Sequence, residues 1–173
     1  NLIGSVDVVE TLGDPEHCWE GSFGFKDPNG HPYEIVRAAL VSAVQRSKAV
    51  EGAGVTLPWL QDFTLGPPRY EAPEVRAQIQ ATYDAGIDEW LLWNASSRYT
   101  EGALEPADGY PEGVEPEMRV GGMIVPLSER YAAMVVEAEK RALARAVADS
   151  IAAAAVGDSL AADVADGVAA IAG

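Results

Sequence analysis

Val55-Thr56-Leu57-Pro58-Trp59-Leu60-Gln61-Asp62 is the run on which the fold of this chain turns. It is apolar through most of its length and closed by an amide and a carboxylate, and it has the length of a strand rather than of a helix. Behind it, Pro73 suits a first helical turn with Glu74 beside it. Val75, Ile79 and Tyr83 then follow at i, i+4 and i+8, before Gly86 stops the helix. Ile87–Asn94 (Ile-Asp-Glu-Trp-Leu-Leu-Trp-Asn) is the next strand-like run. Working backwards, Pro32 opens a helix that carries Tyr33, Val36, Leu40 and Val44 at spacings of three and four, and Gly52 and Gly54 end that region. Ser5–Thr11 is a short β-branched run, a strand in its own right. The order is therefore strand, helix, strand, helix, strand. Apolar strands joined by helices of this length predict an α/β fold with parallel strands buried on both faces.

Beyond Thr100 the texture changes. Residues 101–126 are rich in Gly, Pro and Glu (Gly102, Pro106, Gly109, Pro111, Gly113, Pro116, Gly121, Gly122) and read as a loop or linker. Residues 127–173 are alanine-rich. Tyr131, Met134, Val135, Ala138, Leu143, Val147 and Ile151 recur at helical spacing, with Ser128 as N-cap and Gly157 as stop. A weaker stripe (Leu160, Val164, Val168) follows among Asp158, Asp163 and Asp166. The reading is a packing helix with a frayed acidic end.

Composition narrows the partners. The chain has 173 residues, 12 Lys+Arg against 27 Asp+Glu, and a net charge of −15. Nucleic acid is disfavoured, because phosphate binding relies on clustered Lys and Arg, and an anionic membrane surface is disfavoured for the same reason. No apolar stretch is long enough to insert in a membrane, and no signal peptide opens the chain. Cys18 has no cysteine partner in the sequence, so the redox compartment is not legible. Oligomeric state is not legible either.

Loops at the C-terminal ends of parallel strands build active sites in α/β sheets and barrels. Three places qualify. The first strand runs into Glu16, His17 and Trp19, the second into Trp59, Gln61 and Asp62, the third into Trp93 and Asn94. Aromatic rings, amides and carboxylates at one rim suit carbohydrate. Sugar C–H faces pack on Trp, Asn and Gln exchange hydrogen bonds with hydroxyls, and paired carboxylates cleave glycosidic bonds. Asp62 is the first choice as catalytic acid or base, while a loop cap is its plainer role. Gln61 and Asp62 face opposite sides for as long as the strand continues, so only one of them faces an interior. Asn94 is balanced between ligand donor and turn former, and Asn94-Ala95-Ser96 also matches a glycosylation sequon.

Pro58–Gly66 (Pro-Trp-Leu-Gln-Asp-Phe-Thr-Leu-Gly) and Ala85–Thr100 (Ala-Gly-Ile-Asp-Glu-Trp-Leu-Leu-Trp-Asn-Ala-Ser-Ser-Arg-Tyr-Thr), with Pro15-Glu16-His17, Trp19 and Gly21-Ser22-Phe23-Gly24 upstream, resemble the glycosyl hydrolase domain family catalogued as DUF4015. The likeness spans roughly residues 6–100. It implies the last strand–helix units of a (β/α)8 barrel over residues 1–100, a loop or linker over 101–126 and a helical tail over 127–173. A whole barrel takes about 250 residues, so this stretch is expected to be part of one. The implied activity is hydrolysis of a polysaccharide or oligosaccharide. Asp62 is then catalytic, and Trp59, Gln61, Trp93, Asn94, His17 and Trp19 contact the substrate. The alternative is a non-catalytic carbohydrate-binding or structural remnant. The resemblance also points to an extracellular or cell-envelope location.

Other chemistry is not supported by spacing. Glu16, His17, Cys18 and His31 lack the two tight pairs of a zinc site, so no metal is expected. Gly52-Ala53-Gly54 precedes a strand instead of following one, so no nucleotide cofactor is expected. Ser96 and Ser97 have no Gly-x-Ser-x-Gly frame.

Overall fold

The computed structural model of the chain describes residues 8–12 and 21–171, with the side chains of residue 21 and of 23–152. Its centre is the Val55 run. β2 (Val55–Gln61) lies between β1 (Val8–Leu12) and β3 (Leu91–Trp93), and all three strands are parallel. The β1–β2 register runs from Val8–Val55 to Leu12–Trp59, and the β2–β3 register from Trp59–Leu91 to Gln61–Trp93. α1 (Pro32–Lys48) connects β1 to β2, and α2 (Ala72–Asp84) connects β2 to β3. The α/β reading thus holds, and the two helices pack on each other.

Alternation along β2 sorts its side chains. Thr56, Pro58 and Leu60 are buried, as are Tyr33, Ile35, Val36 and Leu40 of α1 and Val75, Ala77 and Ile79 of α2. Leu57 and Trp59, on the opposite face, are only half-buried. The expectation of burial on both faces is therefore corrected. Among the described residues, helices cover one face of β2 and β3, and the other face is left partly open.

The third strand is also shorter than Ile87–Asn94. The Asp62 N–H donates to the Trp93 carbonyl (2.9 Å), so the even-numbered residues of β2 direct their backbone groups at β3. Pro58 has no N–H to give on that side, and the β3 ladder begins only one residue later, at Trp59–Leu91. Ile87 instead caps α2 with its N–H on the Thr82 carbonyl (3.1 Å) and is buried.

Residues 101–126, expected as a loop or linker, contain an antiparallel hairpin. β4 (Glu117–Val120) pairs with β5 (Met123–Pro126) across Gly121-Gly122. Both glycines have positive φ (60° and 74°), as a two-residue type I′ turn requires. Met118 and Val120 are fully buried, and β4 packs on α1 and α2. Polar pins hold the hairpin in place. Arg119 Nε donates to Glu74 Oε1 (2.8 Å), the Gly121 N–H to Glu34 Oε1 (2.6 Å), and Arg76 to the Glu117 and Gly102 carbonyls. Glu74 does double duty, because its other oxygen accepts the Glu71 N–H (2.9 Å) at the start of α2.

Residues 1–133 form one compact unit and 134–173 a second. In the first, a polar cluster surrounds Asp84, which accepts from Arg130 Nε (3.0 Å), Tyr33 Oη (2.6 Å), Gln80 Nε2 (2.9 Å) and Tyr131 Oη (3.2 Å). Burial of the Asp84 carboxyl pushes its pKa up, but the bonds from Arg130, Tyr33 and Gln80 outweigh this and hold it below its usual value. Burial first, and then the bond to Asp84, raises the Tyr33 phenol well above its usual range. The second unit is the body of α3 (Arg130–Ile171), which is helical straight through Gly157. The expected stop there is corrected: one Gly costs a helix about 1 kcal/mol relative to Ala, and the neighbouring alanines favour continuation. The expected packing stripe is corrected as well, since Leu143, Val147 and Ile151 are exposed.

Candidate functional site

The C-terminal ends of β2 and β3 bring together Trp59, Gln61, Asp62, Trp93 and Asn94. Trp59 and Gln61 are two residues apart on one strand, and Gln61 is the register partner of Trp93, so all three occupy the same, partly open face. The Trp59 and Trp93 rings meet edge to face, with centroids 6.0 Å apart at 90°. Trp93 is 45% exposed, so its ring is available at the rim.

Gln61 is fully buried. Its backbone lies beyond the last β1–β2 pair, Leu12–Trp59, and α2 completes the pairing. Gln78 Oε1 accepts the Gln61 N–H (2.9 Å), and Gln78 Nε2 donates to the Gln61 carbonyl (2.7 Å). One side-chain amide thus stands in for a neighbouring strand. The Gln61 side chain donates from Nε2 to the Phe63 carbonyl (3.0 Å), which fixes its orientation, because the reverse would set two acceptors against each other. Its Oε1 is buried without a hydrogen-bond partner among the described residues.

Asp62 lies on the opposite side of the strand from Gln61. The Asp62–Trp93 bond extends the ladder, so strand geometry persists to this residue and the two side chains diverge. Asp62 is 2% exposed, and both carboxylate oxygens are engaged by Thr100, one with its N–H (2.7 Å) and one with its hydroxyl (2.6 Å). Asn94 Nδ2 donates to the Asp62 carbonyl, while Asn94 Oδ1 accepts the Ser96 N–H (2.8 Å) in an Asx turn. Ser97, with φ of 52°, follows in the left-handed region. Of Asn94's two roles, the turn is therefore the one seen. Together Asp62, Asn94 and Thr100 hold the loop leaving β3.

His17, Trp19, Glu16 and Glu20 lie outside the described residues. Glu101, just beyond Thr100, is exposed in the 3-10 turn Glu101–Ala103. His31 sets Nδ1 against the Asp27 carbonyl (2.9 Å) and stacks near Phe25 (4.6 Å). Among the described residues, no three His, Cys, Asp or Glu side chains gather as metal ligands. A cavity of about 470 Å³ opens at the other end of the sheet, lined by Lys48, Thr56, Ile87, Asp88 and Glu89. It lies at the strand N-termini and shares no residue with the aromatic rim. Sequence reasoning missed Gln78 and Thr100. Gln78 sits mid-helix in a stretch read only for its apolar stripe, and nothing local marks it as a strand partner.

The model of the family described as "Putative glycosyl hydrolase domain" (DUF4015) matches residues 1–99. The chain belongs to this family. The resemblance carried by the two aromatic strand motifs is thereby borne out, and the match ends at the loop that Asp62 holds. No curated protein and no solved structure matches the chain. Membership in a glycosyl hydrolase family suggests carbohydrate as the substrate. Among the described residues, no helix is long and apolar enough to cross a membrane.

Proposed function

We propose that this DUF4015 domain binds polysaccharide or oligosaccharide at the C-terminal rim of β2 and β3, as part of a (β/α)8 glycoside hydrolase site. The carrying observation is the exposed Trp93 ring set edge-on to Trp59, on the partly open face of a parallel sheet at its C-terminal ends. Helices on one face and an open apolar face on the other suit a sheet whose inner side lines a barrel. In this reading Trp59 and Trp93 form the platform, and Gln61 supplies a polar contact beside it. Asp62 acts through the loop: burial and the double bond to Thr100 suit an acid that fixes the residues after Asn94. His17 and Trp19 as further contacts, and an extracellular or envelope setting, are proposed on the family resemblance alone.

Native electrophoresis of the chain through gels containing soluble glucan or xylan tests the binding. Retardation by at least one neutral polysaccharide, lost in Trp93→Ala, is expected. Equal mobility of the two proteins in every gel would refute the platform. Hydrolysis is tested separately, in a chain long enough to close the barrel, by release of reducing ends, with Asp62→Asn compared at equal folded fraction. A loss of at least about a hundredfold would make Asp62 the acid–base group. A fewfold loss would leave it as the loop anchor.

A further inference from the structure

The rim holds one polar atom that the fold does not use. Gln61 is completely buried, its Nε2 is committed to the Phe63 carbonyl, and its backbone is clamped by Gln78, yet Oε1 has no hydrogen-bond partner among the described residues. Buried side-chain polar atoms are nearly always bonded, because an unmade bond retains the full cost of desolvation. An orphan acceptor held this firmly, on the strand face that Gln61 shares with Trp59 and its register partner Trp93, is suited to a donor that reaches it from the rim. We infer that Gln61 Oε1 is the ligand-side acceptor of the site, taking a hydrogen from a sugar hydroxyl or from one water that bridges to it. This rests on the carbohydrate reading above and narrows it.

The chemistry of the atom sets the class of ligand. An amide oxygen accepts and cannot donate, so it rewards a hydroxyl and gains nothing from a carboxylate or sulfate, which offer only acceptors. The chain's net charge of −15 repels anionic polymers as well. Neutral and anionic polysaccharides alike offer hydroxyls to Oε1, so the net charge is what favours neutral, hydroxyl-rich chains over uronic-acid and sulfated ones. Because Oε1 is buried, the group that reaches it is a single hydroxyl or water, while the ring itself stacks on Trp93. A site that hydrogen-bonds a hydroxyl discriminates more sharply against an analogue lacking it than an apolar pocket does against a missing methylene.

The test uses the whole chain in affinity gels with neutral probes (mixed-linkage β-glucan, xyloglucan, xylan) and anionic probes (polygalacturonate, heparin). Variants are Gln61→Met, which keeps length and removes the acceptor, and Trp93→Ala. Expected are retardation by a neutral probe and not by an anionic one, and affinity lowered about tenfold in Gln61→Met. The thermal midpoint of the unliganded Gln61→Met protein should stay close to wild type, since removal of the orphan Oε1 offsets loss of the Nε2 bond to the Phe63 carbonyl. Retardation that Trp93→Ala abolishes and Gln61→Met leaves within twofold would overturn the assignment of Oε1 while the carbohydrate reading stood. Equal retardation by anionic probes, measured on the unaltered chain, would overturn the ligand class. A midpoint lowered by Gln61→Met with unchanged affinity would make Gln61 a packing residue. No retardation by any probe would sink the carbohydrate reading and this inference with it.

Discussion

Replacing Gln78 with Met tests whether α2 completes the edge of β2. The two side chains are similar in length, and residue 78 is fully buried, so packing is nearly conserved and the change is chiefly the loss of an amide. The Gln61 N–H and carbonyl, bonded to Gln78 at 2.9 and 2.7 Å, would then lie buried without partners. Each orphaned backbone group costs about 1–3 kcal/mol. Apolar burial of the Met side chain offsets part of this, leaving a net destabilisation of about 2–5 kcal/mol. For a domain of this size, about 2–4 °C of midpoint is lost per kcal/mol, so thermal unfolding followed by far-ultraviolet circular dichroism should show a drop of about 4–20 °C. Gln78→Glu keeps the oxygen that accepts from Gln61 and loses the donor to its carbonyl, so it should fall between wild type and Gln78→Met at neutral pH. A Gln78→Met midpoint within about 2 °C of wild type would refute the reasoning, because water or a shifted chain would then be serving the end of β2 equally well.

Other expectations follow from the same bonds. Asp62→Asn replaces one of the acceptors facing Thr100 with a donor, so hydrogen exchange at the Thr100 amide should speed up about tenfold with little change in the global midpoint. An unchanged rate would show that Asp62 does not hold the loop. Asp84→Asn should lower the urea midpoint at pH 7 by the equivalent of about 1–3 kcal/mol. The folded pKa of Asp84 lies below its unfolded value, so its stabilisation is full above about pH 4 and is lost as pH falls through the folded value. The gap between Asp84→Asn and wild type should therefore close below about pH 4, and a gap that widened there would contradict the sign. Met118→Ala, emptying a fully buried site between the hairpin and the helices, should cost about 2–5 kcal/mol. A cost under about 0.5 kcal/mol would mean that residues 117–126 are not part of the core.

Much of the order of elements was legible because its signals are local. Pro32, Pro73, Gly54 and Gly86 punctuate the chain, and apolar periods of 3.6 and 2 separate helices from strands. The misread pieces each depended on something non-local or on a signal passed over. Gly121-Gly122 between Met-Arg-Val and Met-Ile-Val is a hairpin signature, obscured by the surrounding Gly and Pro. The length of β3 was set by a missing donor on Pro58 of its neighbour, which no reading of residues 87–94 alone reveals. The exposed stripe of α3 follows from alanine's helix propensity, which lets a helix form without the partner that an apolar stripe suggests.

The site turned on parity. Two polar residues end β2, and alternation allows only one to share a face with Trp59. Acids cleave glycosidic bonds, which singles out Asp62 in the sequence, but that chemical preference carries no information about which face a residue takes. The face is set by the bond from the Asp62 N–H to the Trp93 carbonyl, which keeps the strand straight through residue 62. The acid then meets Thr100 and the amide joins the tryptophans. Had the chain bulged by one residue between Trp59 and Gln61, the two roles would exchange. The same bond accounts for why Thr100, thirty-eight positions away, became visible only in three dimensions. An Asp gains stability by accepting a backbone N–H and a hydroxyl at a loop, whereas a Gln carbonyl left without a partner has no such structural return. Within the rim, the residue whose bonds are complete is accounted for by the fold, and the residue with a bond left over is accounted for by what binds there.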